Sequence, residues 1–258
     1  MIKPYIYLTI FFVFLLGLSC STRKLSKSYN ELKINHLYSQ SIEDAAKPQP
    51  WEIKSDLVKI SGKNPNLIWK EIDGEFYILV STWKIDTFFL INNSPDRKIN
   101  TSKFLSWVTT APELQNLCQN RSFGRKEGLD LRLKQLLGLP PNIEKNYFIE
   151  FWVTPKDLFR PCLDQGVYDV NCNLSFPENG SLQYKKWIND LRIESYYNAE
   201  WDKNYPWTQL GYTYDWNSKN KNNFGASEFV IDKNKDIFIN KIYTTEDYCN
   251  FKKPKHYK

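Results

Sequence analysis

The chain has 258 residues, of which 41% are hydrophobic and 16% aromatic, so it is long enough to bury one good core or two small ones. Its net charge of +6 is spread along the sequence rather than gathered in a basic stripe, which excludes a nucleic-acid-binding footprint and predicts no nucleic-acid partner. Its two histidines, His36 and His256, lie outside the segment that we predict to fold, so we expect no histidine-based hydrolysis or metal chemistry there.

The first twenty residues predict export. Lys3 precedes a nearly unbroken apolar run over residues 5–18, which is too short and too poorly flanked for a membrane span. The run ends in Leu16-Gly17-Leu18-Ser19-Cys20. This ending resembles the lipobox of bacterial lipoproteins, in which the cysteine is acylated and becomes the new N-terminus. The leucine lies four residues before the cysteine here, rather than the favoured three.

The resemblance implies a signal peptide over residues 1–19 and a lipid anchor, such as palmitate, on Cys20. Ser21 is not the usual inner-membrane retention residue, so the implied location is the outer membrane or the cell surface. The alternative is an ordinary cleaved signal that leaves Cys20 as a spare thiol.

Residues 20–49 are polar and end before Pro50 in Lys47-Pro48-Gln49, which predicts a spacer between the lipid and the domain, with room for a transient helix. We expect one globular domain over residues 50–250. Residues 251–258 are basic and predict a loose tail.

The body of the chain mixes strand and helix patterns without regular βαβ alternation. This predicts a single α+β domain with a largely antiparallel sheet and several short helices. The predicted strands cover residues 75–83, 104–109, 147–153, 209–216, 227–231 and 236–242. The predicted helices cover residues 130–137 and 181–193, together with one that a capping box from Thr110 to Glu113 opens.

With Cys20 assigned to lipid, four cysteines remain, and an even number in an exported chain predicts disulfide bonds. Three pairings are possible. We favour Cys162 with Cys172, because they flank a short polar loop, which leaves Cys118 with Cys249. The alternative is reduced, buried thiols. No pair has metal-ligand spacing, so we predict no metal site.

The densest group of aromatic and polar residues lies in the segment from Pro206 to Trp216. Pairing it with residues 225–229 through the polar loop 217–224 would place Tyr212, Tyr214 and Trp216 on one face. With Trp207, these rings predict a floor on which a sugar or nucleoside stacks. The alternative is a twisted hairpin whose aromatic side chains pack across the strands.

Two carboxylates belong to the same hairpin. Pairing about Lys221 would put Glu228 beside Tyr214, and Asp215 would lie on the other face. A carboxylate desolvated against aromatic rings has a raised pKa, which suits a general acid, so Glu228 and Asp215 are the candidate catalytic residues. In the alternative, both carboxylates pair with Lys or Arg.

Arg160 is the candidate anion-binding residue, because a guanidinium beside a disulfide-bonded loop is rigid enough to bind a carboxylate or phosphate. The alternative is that it donates to loop carbonyls or pairs with a nearby acid. The chain has no Gly-rich phosphate loop and no dinucleotide fingerprint, so we predict no cofactor.

Two functions follow from these patterns. The first is a lipid-anchored envelope protein that binds a glycan or an envelope protein through an aromatic surface, or that is structural. The second is an envelope hydrolase or transferase acting on a glycan or a nucleotide-like substrate by carboxylate acid/base chemistry.

Overall fold

The computed structural model describes residues 30–86, 97–102, 105–120, 122–200 and 203–250. The predicted signal peptide, the predicted lipid site Cys20, the basic tail and His256 lie outside these ranges. Every strand pairing within them is antiparallel, and helices and strands build one domain. The predicted α+β class with a largely antiparallel sheet is therefore confirmed.

Within the described ranges, ten strands form two sheets. Their bounds are β1 Trp69–Ile72, β2 Glu75–Lys84, β3 Lys98–Asn100, β4 Ser106–Thr110, β5 Tyr147–Val153, β6 Leu158–Phe159, β7 Tyr212–Tyr214, β8 Phe224–Ser227, β9 Phe229–Ile231 and β10 Asp236–Thr244. Eight of them form a large sheet with the order β3-β10-β5-β2-β4-β9-β6, in which β1 also pairs with β2, and β7 and β8 form a separate two-stranded sheet.

Five helices flank the sheets: α1 (residues 30–45), α2 Ala111–Cys118, α3 Leu129–Leu136, α4 Leu182–Tyr196 and α5 Thr245–Asn250. None of these helices, within the described ranges, is long and apolar enough to cross a membrane.

The folded part of the chain begins before residue 50. Residues 30–45, which the sequence places in a spacer, form α1, and its Tyr38, Ile42 and Ala45 pack in a cluster with Trp207 and Trp216. Tyr38 is fully buried, and its hydroxyl donates to the carbonyl of Asn204 at 2.9 Å. His36 consequently belongs to the folded domain, where it lies exposed on α1.

The predicted capping box of α2 does not form. Thr110 does precede the helix, but its side chain makes no capping bond, and its buried hydroxyl has no partner among the described residues. The Glu113 carboxylate instead accepts from the backbone N–H and the hydroxyl of Ser227, both at 3.0 Å. Glu113 thus bonds to a residue distant in sequence rather than to the N-cap residue of its own helix. At α4 the predicted cap is present, because the Ser181 hydroxyl accepts from the N–H of Tyr184.

Successive side chains of β2 and β5 point to opposite faces of the large sheet, so each strand contributes to a separate core cluster on each face. Ile78, Val80 and Phe151 contribute to a mostly aliphatic cluster on one face. On the other face, Trp83 and Phe148 pack against α2, α3 and α5. Strands this apolar on both faces are covered on both, as expected for the middle of a sheet.

Both predicted disulfide bonds are present. Cys162 is bonded to Cys172 with 6.3 Å between Cα atoms, and Cys118 is bonded to Cys249 with 5.2 Å between Cα atoms. The second bond ties the end of α2 to α5.

Candidate functional site

A cavity of about 660 Å³ opens between the large sheet and the small one. Its walls come from the end of β2, from β4, from α4, from the turn after α3 and from β7. This volume falls within the range of roughly 300–1,000 Å³ that is typical of small-molecule sites.

Five aromatic side chains line the cavity: Trp83, Trp107, Tyr205, Trp207 and Tyr214. Two of them are fixed by their indole N–H groups, since Trp83 donates to the Thr245 hydroxyl at 2.9 Å and Trp207 donates to the Pro161 carbonyl at 3.1 Å. Trp107 is only half-buried. Its free surface provides the cavity with a flat apolar platform.

Glu228 joins the two sheets, because it is the single residue between β8 and β9. Its backbone N–H donates to the Gly211 carbonyl at 2.9 Å. Its half-buried carboxyl group lines the cavity and makes no hydrogen bond or ion pair with any residue that the structure describes. Loss of hydration raises its pKa to about 8. At neutral pH Glu228 is therefore mostly a neutral acid that can both donate and accept a hydrogen bond.

Two lysines line the same cavity. Lys84 is the last residue of β2, and its carbonyl accepts from the N–H of Asn146 at 2.8 Å, which brings the neighbouring Lys145 beside it. Desolvation lowers the pKa of both ammonium groups, and the charge of Lys84 lowers that of Lys145 further. Neither forms an ion pair within the described ranges.

Asp215 does not line the cavity. It is fully buried and accepts two hydrogen bonds from the Arg132 guanidinium, at 2.9 and 2.7 Å. It also accepts from the N–H of Asn217 at 3.1 Å and from the side chain of Asn220 at 2.9 Å. Two of these four bonds join Asp215 to α3 and two hold the loop between β7 and β8, so the structure does not support the predicted acid/base role for Asp215. The alternative of pairing with an arginine is the one found.

Arg160 is likewise used by the fold. It is fully buried, and it donates to the carbonyls of Gly166 at 3.2 Å, Val58 at 3.0 Å and Asp169 at 3.1 Å. Its guanidinium also lies 4.7 Å from the centre of the Phe229 ring. The predicted anion-binding role is therefore not supported, because the guanidinium holds the disulfide-bonded loop together and does not line the cavity.

The predicted aromatic floor is divided. Tyr212 and Trp216 do not line the cavity, and they are buried with their polar atoms bonded to the carbonyls of Glu52 and Leu139. Tyr214 does line it, together with Trp207. Tyr214 lies opposite Phe224, and beyond a bulge Tyr212 lies opposite Ser227, so the predicted pairing of Glu228 with Tyr214 is wrong.

The structure therefore brings Glu228, Trp207 and Tyr214 to one cavity and excludes Asp215, Arg160, Tyr212 and Trp216. Sequence reasoning missed Lys84, Lys145 and Trp107. Lys84 directly follows the predicted strand over residues 75–83, and Lys145 lies just before the predicted strand over residues 147–153. Pairing of these two strands would have placed the two lysines together. Comparison with protein-family models, with curated proteins and with solved structures finds no match to this chain.

Proposed function

We propose that this chain is a ligand-binding protein of the cell envelope, and that its cavity binds a small ligand with a flat apolar face, such as a sugar ring. The observation that carries the proposal is that Glu228 lines a cavity of about 660 Å³ with no partner among the described residues. Desolvation raises its pKa to about 8, so at neutral pH its carboxyl group offers a ligand both a donor and an acceptor. A ligand hydroxyl supplies the missing partner.

The aromatic lining supports a sugar as the ligand. The apolar face of a pyranose ring packs on the Trp107 indole, while its hydroxyl groups can both donate to and accept from the neutral Glu228 acid. Trp83 and Trp207 provide rigid walls, because their hydrogen bonds fix the rings before the ligand arrives.

Calorimetric titration of the protein with neutral monosaccharides and disaccharides tests this function. We expect Trp107→Ala to weaken binding about tenfold or more, because it removes the stacking surface. Trp51→Ala is the matched control, since that indole is 78% exposed and does not line the cavity. Equal losses in the two variants, or unchanged binding by Trp107→Ala, would refute the assignment.

Glu228 can be tested in two steps. Glu228→Gln keeps a neutral group that donates and accepts, so we expect it to retain most of the affinity. Glu228→Leu removes both functions and should weaken binding by about tenfold. If Gln and Leu weaken binding equally, Glu228 does not act as the neutral hydrogen-bonding group.

We also propose that Cys20 carries the lipid and that the protein lies at the outer membrane or the cell surface. Only ten positions separate Cys20 from the first described residue of α1, and ten extended residues reach at most about 35 Å. The cavity would consequently work close to the membrane, where glycans and envelope proteins are the available partners. Labelling of cells with an alkyne analogue of palmitate tests this anchor, since Cys20→Ala should lose the label completely.

A second candidate is an envelope hydrolase or transferase acting on a glycan or a nucleotide-like substrate. The observation in its favour is the pKa of about 8 at Glu228, which suits a general acid, and Glu194 is a second carboxylate lining the same cavity. A panel of fluorogenic glycosides distinguishes the two functions. Turnover that is lost in Glu228→Gln while binding is retained would establish the enzyme.

A further inference from the structure

We infer that Lys84 and Lys145 bind an anionic group on the cavity's ligand, which makes that ligand an acidic sugar that carries a carboxylate or a phosphate. This inference rests on the proposed binding function and names the class of ligand. Both lysines line the same cavity as Trp107 and Glu228.

The ammonium groups of the two lysines are not used by the part of the fold that the structure describes. Both are half-buried, and neither donates to a carboxylate or to a carbonyl in the part of the chain that the structure describes. Lys203, which also lines the cavity, differs because its ammonium pairs with Glu200 at 2.7 Å. Two desolvated ammonium groups side by side lose hydration and repel each other. An anion bound between them offsets both the lost hydration and the repulsion.

The backbone holds the lysine pair in place. Lys84 lies opposite Tyr147 in the pairing of β2 with β5. The N–H of Asn146 donates to the Lys84 carbonyl, which fixes the backbone next to Lys145. Both ammonium groups therefore extend from the end of a rigid sheet rather than from a loose tail. A site of this kind is organised before its ligand arrives.

The charge balance of the cavity also favours an anion. Its charged lining residues are Lys84, Lys145, Lys203, Glu194 and Glu228. Glu228 is mostly neutral at pH 7, and Glu194 is exposed at the mouth. The interior consequently holds an excess of positive charge.

Three sugars of matched size test the inference by calorimetry: glucose, glucuronate and glucose 6-phosphate. We expect the two acidic sugars to bind the wild-type protein about tenfold or more tightly than glucose, because each gains charge-assisted hydrogen bonds. The better of the two identifies the anion as a carboxylate or a phosphate. The wild-type comparison needs no variant, so it does not depend on how any substitution folds.

A double variant then assigns the preference to the lysine pair. Lys84→Met/Lys145→Met should bind all three sugars within about twofold of one another. The control, Lys186→Met/Lys219→Met, removes two charges that pair with Asp190 and Glu127 away from the cavity, and it should keep the preference. A preference that survives in the first double variant would overturn the inference.

The remaining outcomes separate the inference from the proposed function. If glucose binds as tightly as glucuronate and glucose 6-phosphate, the binding function stands and the anion site is refuted. If no sugar binds, the protein is titrated with inorganic phosphate. Phosphate binding that is lost in Lys84→Met/Lys145→Met supports the anion site and refutes the sugar, whereas no binding of phosphate refutes both.

Discussion

Glu228→Gln should remove a fall in the free energy of unfolding that the wild type shows as pH rises. Burial raises the pKa of Glu228 from its ordinary value of 4.5 to about 8 in the folded protein. Between these values the folded protein holds a proton that the unfolded chain releases. The free energy of unfolding therefore falls as pH rises through this window, by at most about 1.4 kcal/mol per pH unit. The loss begins near the lower value and is complete above the upper one.

The size of the effect follows from the same two pKa values. Integrated from acidic pH to pH 7, the loss at Glu228 amounts to about 3 kcal/mol. Glutamine keeps the shape and neutrality of the protonated acid and cannot ionise. The variant should thus match the wild type near pH 4.5 and exceed it by about 3 kcal/mol at pH 7.

Urea denaturation of both proteins, followed by circular dichroism at several pH values from about 4.5 to about 8, measures this difference. Glu194→Gln is the control, because it makes the same change at an exposed position on the same cavity. Glu150 remains in both variants, so its own raised pKa of about 7 contributes equally. Curves for wild type and Glu228→Gln that stay parallel at all pH values would refute the reasoning.

Two further predictions concern the fold around the cavity. Asp215→Asn should lower the free energy of unfolding by about 3 kcal/mol, because it leaves the largely buried Arg132 without its counter-charge; an unchanged urea midpoint would contradict the structural role of this pair. Gly225→Ala should cost about 3 kcal/mol, since its new Cβ would overlap the carbonyl and hydroxyl oxygens of Thr213. Gly62→Ala, where a Cβ meets nothing within 4 Å, is its control and should change thermal stability little.

The elements that the sequence predicts best are those whose signal is local and continuous. Strand β5 begins and ends where its apolar run does, and β2 extends only one residue beyond the predicted strand. Helix α1 was missed because its exposed face is polar and its apolar residues are few. Tyr38, Ile42 and Ala45 do recur at helical spacing. This narrow apolar stripe stabilises a helix only because α4 and the small sheet cover it.

The members of the candidate site that were predicted are likewise those close together in sequence. Trp207, Tyr214 and Glu228 come from one hairpin, so a short-range argument reached them. The hairpin pairs Tyr214 with Phe224 rather than with Glu228, and the bulge next to this pair shifts the register by only one residue, so the position of the turn was predicted wrongly. Lys84 and Lys145 meet through a pairing of strands about sixty residues apart, which one sequence does not specify.

The position of β10 limits how this protein can fold. Although β10 is the last described strand, it lies inside the large sheet between β3 and β5, and the helix after it is bonded through Cys249 to Cys118. Until residue 244 is available, the edge of β5 stays open, and an open edge of an apolar strand invites pairing with other chains. Nascent chains of this protein thus need protection from aggregation until nearly the whole described sequence has been made.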